Sequence, residues 1–335
     1  MKNLCVILLL SVVTLPVLAL TNDNVEKYTT WLGIKTYITS NGLHYTIKDK
    51  NSTSINKQFN AKYPIAIGVQ VTVANISLGY TFAGTQQWFN DPTTLKNASK
   101  YWGLDLNYMG DKLIFENQLN SFGKFEVSNN CKCSDDLVKA ATSINNNYVD
   151  PLLKSFEVSS NLQYIFNGNN WSYKAMLNTG ARQTKSAGSI IAMVSYNYHQ
   201  IRSTTDYVIH QTNNNSNFDK YNLTQKIQAA SPALSLGYGY TLAYKKFYVG
   251  GAAYAGSGWV FNRVKLLSTS NTGDDFSFNG RLKANAGFNG KRFYFGVGSN
   301  LTTISNNIKT ELKSNWLNYE YNFYIGLRLA TRKLF

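Results

Sequence analysis

Residues 317–329 read L-N-Y-E-Y-N-F-Y-I-G-L-R-L. Every second residue from Leu317 is apolar or aromatic: Leu317, Tyr319, Tyr321, Phe323, Ile325, Leu327 and Leu329. Between them stand Asn318, Glu320, Asn322, Tyr324, Gly326 and Arg328. A period of two belongs to a strand, whose successive side chains point to opposite faces. The fold turns on what the apolar face touches, a protein core or lipid.

The pattern recurs along the chain. Fourteen candidate strands can be drawn, at 31–39, 43–50, 64–73, 75–82, 100–109, 112–122, 155–166, 171–182, 188–199, 232–244, 247–260, 276–289, 292–302 and 317–329. Tight polar turns join several of them, including Gly110-Asp111, Lys245-Lys246 and Gly290-Lys291. The long polar segments are 51–62, 83–99, 123–154, 200–229, 262–275 and 303–316. No Pro-rich or Gly/Ser-rich linker interrupts the pattern, so residues 20–335 read as one domain. Charges inside the strands fall opposite to the apolar face: Lys35, Asp105, Glu116, Glu157, Lys174, Arg182, Arg281, Lys283, Glu320 and Arg328.

A soluble sandwich also hides one face and wets the other. Four features favour lipid. Several strands run ten residues or more, against the five or six usual in globular proteins and the roughly nine to eleven that a tilted membrane strand needs. The polar face is rich in small residues, as in Ser235, Gly237, Gly239 and Thr241. Aromatics sit near strand ends on the apolar face, among them Trp102, Tyr108, Trp171, Tyr173, Tyr198, Tyr244, Phe293 and Tyr319, as in interfacial girdles. The chain ends in Phe335, in register with the apolar face of 317–329, although Lys333 breaks that pattern. The expectation is a closed, all-β, antiparallel transmembrane β-barrel of about fourteen strands. Twelve is the alternative, because two short turns in succession across 167–187 put the long loops of the two halves on opposite sides.

The first nineteen residues read as a secretory signal peptide: Lys2, an apolar stretch over 4–15, and Val17-Leu18-Ala19 before a cut after Ala19. No later stretch is apolar enough for a spanning helix. The formal charge of +15 falls by one, to +14, when the segment carrying Lys2 is removed. Export and the lack of a basic binding motif argue against nucleic acid; a basic exported surface suits anionic lipid headgroups or solutes. Cys131 and Cys133 remain after the cut. They read as a small disulfide loop or free thiols, since two cysteines without a nearby His make half a metal site.

Residues 164–189 read Y-I-F-N-G-N-N-W-S-Y-K-A-M-L-N-T-G-A-R-Q-T-K-S-A-G-S. The turn at Tyr164, Phe166 and Asn167, the run Trp171-Ser172-Tyr173, and Arg182, Gln183, Lys185, Ser186, Ala187, Gly188 and Ser189 resemble the bacterial family called domain of unknown function 4421. Lys62-Tyr63-Pro64 with the strand after it, and residues 104–122, are similar to that family too. The resemblance implies an outer-membrane β-barrel and no particular activity.

One cluster reads as a candidate site. Arg182, Lys185, Ser186 and Ser189 combine two cations and two hydroxyls, a set able to hold an anion; the plainer reading is a polar turn that pins register and pairs with Glu157 or Glu320. No enzyme is expected: His44, His199 and His210, with Asp206, Asp274 and Asp275, show no nucleophile–base spacing. No cofactor and no metal are expected. The function read from sequence is an outer-membrane barrel serving as a small passive pore or as a closed structural or surface barrel. The ten in-strand charges decide between these by pairing across the lumen or lining separate walls. A soluble periplasmic ligand-binding sandwich is the competing class, and a barrel hydrolase a weaker one. The expected partners are outer-membrane lipid and the barrel assembly machinery.

Overall fold

The computed structural model of the chain describes residues 24–50, 55–61, 65–83, 100–131, 147–203, 208–209, 221, 223–308 and 312–330. The signal segment, Cys133, Asp206, His210, Lys333 and Phe335 lie outside them, so the cysteine pairing expected with Cys131 does too. The strands are β1 (Val25–Lys27), β2 (Trp31–Asp49), β3 (Ile55–Ala61), β4 (Ile65–Val73), β5 (Ile76–Phe82), β6 (Lys100–Met109), β7 (Leu113–Cys131) and β8 (Asn147–Ile165). A short helix, α1 (Tyr173–Met176), follows. Then come β9 (Ala181–Gln183), β10 (Ala187–Ser203), β11 (Thr224–Tyr244), β12 (Phe247–Leu266), β13 (Ser270–Asn289), β14 (Phe293–Ile308) and β15 (Leu312–Ala330).

Twelve strands pair with their neighbours into a ring: β2, β4 to β8, and β10 to β15. The ring closes where β15 returns to β2, antiparallel from Leu312↔Asp49 to Ala330↔Trp31. Closure leaves no open edge, the condition for a sheet in hydrocarbon, where backbone groups find no water partner.

Twelve replaces fourteen for two physical reasons. The segments 31–39 and 43–50 are one strand. Asn41-Gly42 does not turn there; Gly42 stands opposite Tyr319, and a Cβ on it would come within 2.2 Å of the tyrosine ring. The second correction is 171–182, which leaves the wall and folds into the lumen. Ser172 caps α1 by accepting from Ala175 N at 3.2 Å, and Asn178 ends the turn at φ 58°. Trp171 and Tyr173, read as interface aromatics, are buried inside. With this segment withdrawn, β8 and β10 share one connection. It lies at the same end as the turns at 74–75, 110–112, 245–246 and 290–292, and the described strands alternate in direction consistently with this.

The opening stretch faces outward. Phe323 is 54% and Leu327 53% exposed on the outer face. On β11 the outward set runs Leu234, Leu236, Tyr238, Tyr240, Leu242 and Tyr244, all exposed. The roughly ten rises of about 3.3 Å between them, tilted by about 40°, give a band of roughly 25 Å. No helix among the described residues is long and apolar enough to cross a membrane; the strands form this band instead. A soluble sandwich has no use for such a surface, and that reading is set aside.

Above the band the alternation inverts. Ile201, Ile227, Val264, Leu312 and Trp316 point inward into one apolar cluster, while Arg202, Lys226, Lys265 and Lys313 stand on the outer face. The wall also narrows there. β4 pairs with the lower part of β2 (Leu32↔Val73 to Ser40↔Ile65), and β6 with β7 up to Gly123. Beyond that height β3 alone bridges β2 and β7, so one strand replaces three. A ring of twelve thereby tapers to ten around the cluster formed by Tyr45, Phe59, Phe122, Phe125 and Trp316, among others.

Inward glycines make room for the infolded segment. A Cβ at Gly239 would lie 2.3 Å from the Trp171 ring, and one at Gly250 would lie 2.8 Å from Met176. Replacing Gly239 by Leu should displace Trp171 and lower the unfolding free energy by about 1–3 kcal/mol. The check is the urea midpoint at which the fast-migrating unboiled gel band is lost, compared with wild type.

Candidate functional site

The lumen has three levels. At the narrow end lies the apolar cluster. At the wide end lies the infolded segment 166–186 with the N-terminal residues. Between them is a polar chamber of about 130 Å³.

The lower closure is tied from several sides. β1 and β9 form a two-stranded sheet, Val25↔Gln183 to Lys27↔Ala181, and Tyr28 N donates to Gly180 O at 2.9 Å. Trp171 Nε1 donates to Thr241 Oγ1 at 2.9 Å. Gln183 Nε2 donates to the carbonyls of Asn24, Asn170 and Lys185, and its Oε1 accepts from Ser172 N. Arg328, on β15, is stacked between Tyr28 and Tyr294, its guanidinium carbon 4.4 and 4.3 Å from the ring centres. It donates to Asn289 Oδ1 (3.0 Å), Gly290 O (2.7 Å) and Asn178 Oδ1 (3.0 Å). One planar cation thus joins the wall, a turn, the N-terminal segment and the infolded segment, a task suited to the fixed fork of arginine.

The chamber is lined by three cations and three carboxylates: Lys35, Arg281 and Lys283, with Asp105, Glu116 and Glu320. Glu116 is the centre of the best-connected group. It accepts from Lys283 Nζ at 2.6 Å, from Gln163 Nε2 at 2.7 Å and from the Tyr173 hydroxyl at 3.2 Å, and Arg281 Nη1 lies 3.7 Å away. Tyr173 belongs to α1, so the infolded segment shares the wall's charge network. Tyrosines fill much of the remaining space by lying across glycines of the next strand: Tyr37 over Gly68, Tyr324 over Gly296 and Tyr294 over Gly326. Such a chamber can hold water or a small polar solute. Its charges balance, so it offers no single-sign field along its length.

The other sequence-derived residues are placed as follows. Glu157 accepts from Trp316 Nε1 at 3.1 Å and from Asn318, and Glu320 accepts from Asn322, so neither pairs with Arg182. Arg182 is ion-paired instead with Glu26 at 2.6 Å, on the neighbouring short strand. Ser186 Oγ accepts from Ala243 N, and Ser189 Oγ accepts from Asn167 N while donating to Ile190 O. Lys185 is exposed. Each of the four thus has a different engagement, and the structure does not gather them around one point. Lys174, read as a strand charge, lies on α1, 3.4 Å from Asp111, and donates to Asn75 Oδ1 at 3.0 Å. His44 is bonded to Asn60 and Thr46, and His199 stacks on Trp316 with ring centres 4.5 Å apart. Among the described residues no group of three His, Cys, Asp or Glu is placed to hold a metal.

Sequence reasoning gave no role to Gln183, Asn178, Asp111 or Glu26. Gln183 stood inside the most specific stretch, R-Q-x-K-S-A-G-S, and its position between two cations and two serines was the available signal. Glu26 and Asp111 carried none, because each acts only once the chain ends and turns have met at the lower rim.

A closed antiparallel ring with an apolar outer band and a polar lumen is a transmembrane β-barrel of the outer-membrane type. The chain belongs to the family described as Domain of unknown function (DUF4421), whose profile matches residues 22–329. No curated protein matches the sequence. Among solved structures it is similar to the toluene transporter TodX of P. putida, at 6% identity and a TM-score of 0.28, with 89% of this chain and 90% of that one covered. It is similar to the beta domain of the Bordetella autotransporter BrkA, at 14% identity and a TM-score of 0.33, with 90% and 98% covered. A third is the outer-membrane OmpT of Vibrio cholerae, at 9% identity and a TM-score of 0.32, with 91% and 99% covered. Overlaps this loose carry no inference about what the barrel does.

Two outcomes follow from the charges. Glu116→Gln leaves Lys283 and Arg281 buried without their counter-charge and should cost about 3–5 kcal/mol, read from the urea midpoint of the band shift. Asp111 gives the lower closure an acid limit. Burial alone would raise its carboxyl, but the hydrogen bond from Lys27 (2.7 Å) and the charges of Lys174 and Lys27 outweigh this and hold it below the usual value. A depressed carboxyl contributes stability above its unfolded-state pKa, and that contribution is lost as pH falls through the folded one. The tie therefore weakens below about pH 4. The difference in melting temperature between wild type and Asp111→Asn should be present at pH 6 and shrink steadily as the pH is lowered below about 4.

Proposed function

We propose that the protein is a closed barrel of the outer membrane of a Gram-negative bacterium, exported through its N-terminal signal segment, folded by the barrel assembly machinery and used as a structural or surface element rather than as a passive pore. The single observation that supports this is the double closure of the lumen: an infolded segment latched by Arg328 at the wide end, and an apolar cluster inside a narrowed ring at the other. A conducting path needs water through both ends. The apolar cluster excludes it at one end, and the tied segment fills the other. The pairing of Glu116 with Lys283 and Arg281 points the same way, because these charges meet across the lumen. No enzymatic role is assigned.

Planar-bilayer recording tests the reading. Protein that shows the unboiled band shift should insert and stay silent across a range of voltages. Steady unit conductance steps from the intact chain would sink the closed barrel and return the passive pore.

A further inference from the structure

Four cations stand in one row on the outer wall, just above the apolar band. The register places Lys154 of β8 opposite Arg202 of β10, Arg202 opposite Lys226 of β11, and Lys226 opposite Lys265 of β12. Arg263 follows two residues from Lys265, opposite Gln228. Like charges directly across strands repel, and natural sheets avoid them. Here the repulsion is left uncompensated: none of the four is ion-paired among the described residues. Arg263 donates to Ser270, and Asp274, on β13 opposite Phe261, lies below the row.

Each strand under the row passes through the same sequence of surfaces. On β10 the outward side chains run Ile190, Val194, Tyr196, Tyr198, Gln200 and Arg202; on β12 they end in Trp259, Phe261, Arg263 and Lys265. Tyr198, Gln200 and Gln228 form a hydrogen-bonded collar between the aromatics and the cations. This is the order of a membrane boundary: hydrocarbon, aromatic girdle, then headgroups. Three strand spacings of about 4.8 Å make the row roughly 14 Å wide.

We propose that this row is a binding site for the phosphate-bearing headgroup of a lipid in the leaflet facing the long loops, with the acyl chains lying on the apolar band below. Phosphate supplies the missing counter-charge, and a lipid is the one occupant that uses both surfaces at once. An acidic polypeptide or free phosphate would use only the upper one. The site is independent of whether the lumen is open or closed.

Native mass spectrometry of the folded barrel in detergent tests it, with four probes: a bisphosphorylated glucosamine lipid, phosphatidylethanolamine, inorganic phosphate and a poly-glutamate peptide. Wild type should retain the bisphosphorylated lipid about tenfold over phosphatidylethanolamine, and K154Q/R202Q/K226Q/K265Q should lose that preference. A control altering the opposite rim, K245Q/K246Q/K291Q/R292Q, should keep it. The proposal is overturned if the row variant retains the lipid as wild type does, if the rim variant loses it equally, or if inorganic phosphate or the peptide is held in its place. Should the fourfold variant lack the band shift, R202Q/K226Q is read instead, with a loss of about threefold expected.

Discussion

Everything in this molecule depends on backbone hydrogen bonds that cannot be shared with the surroundings. Within the apolar band there is no water to accept from an N–H or donate to a C=O, so every strand needs two neighbours and the sheet must close. The pairing of β15 with β2 supplies that closure along the whole length of both strands. Once the ring exists, the period-two geometry of a strand assigns its side chains, and only the medium on each side decides which are apolar. Lower down, lipid lies outside and the polar chamber inside. Higher up the same strands have apolar packing inside and cations outside. One wall thus serves two environments, and the exchange of faces marks where the membrane ends.

The lumen is filled by complementarity rather than by volume alone. Tyrosine rings lie across glycines of adjacent strands, and Trp171 and Met176 enter over Gly239 and Gly250. A small residue in a strand weakens it locally. Here that loss is offset by the aromatic packed into the space. The buried charges follow the same logic. Glu116 is tolerated because Lys283, Arg281, Gln163 and Tyr173 surround it, and the last of these arrives only with the infolded segment.

Much of this was legible in the sequence. The strand alternation and the outward face of 317–329 follow from the spacing of Leu317, Phe323 and Leu327. The two departures from fourteen strands had separate causes. Trp171-Ser172-Tyr173 alternates like a strand, yet Ser172 is a helix cap and Asn178 a left-handed terminus. Asn41-Gly42 looks like a break, yet the glycine is there to lie beneath Tyr319. The inversion above the band was hidden for a related reason. Ile201, Ile227 and Val264 keep the period while changing the face, and a pattern search registers the period alone. Contacts such as Arg182 with Glu26, or Lys174 with Asp111, join residues far apart in sequence and become visible only when the ring brings the ends together.

Arg328 belongs to the strand that completes the ring. The guanidinium that clamps Tyr28 and Asn178 is carried by β15, one side of the β15–β2 seam. Seam and contents are therefore fastened by the same strand. Loosening that strand would free the N-terminal segment and the infolded turn together, as a slipped hoop releases stave and cork at once.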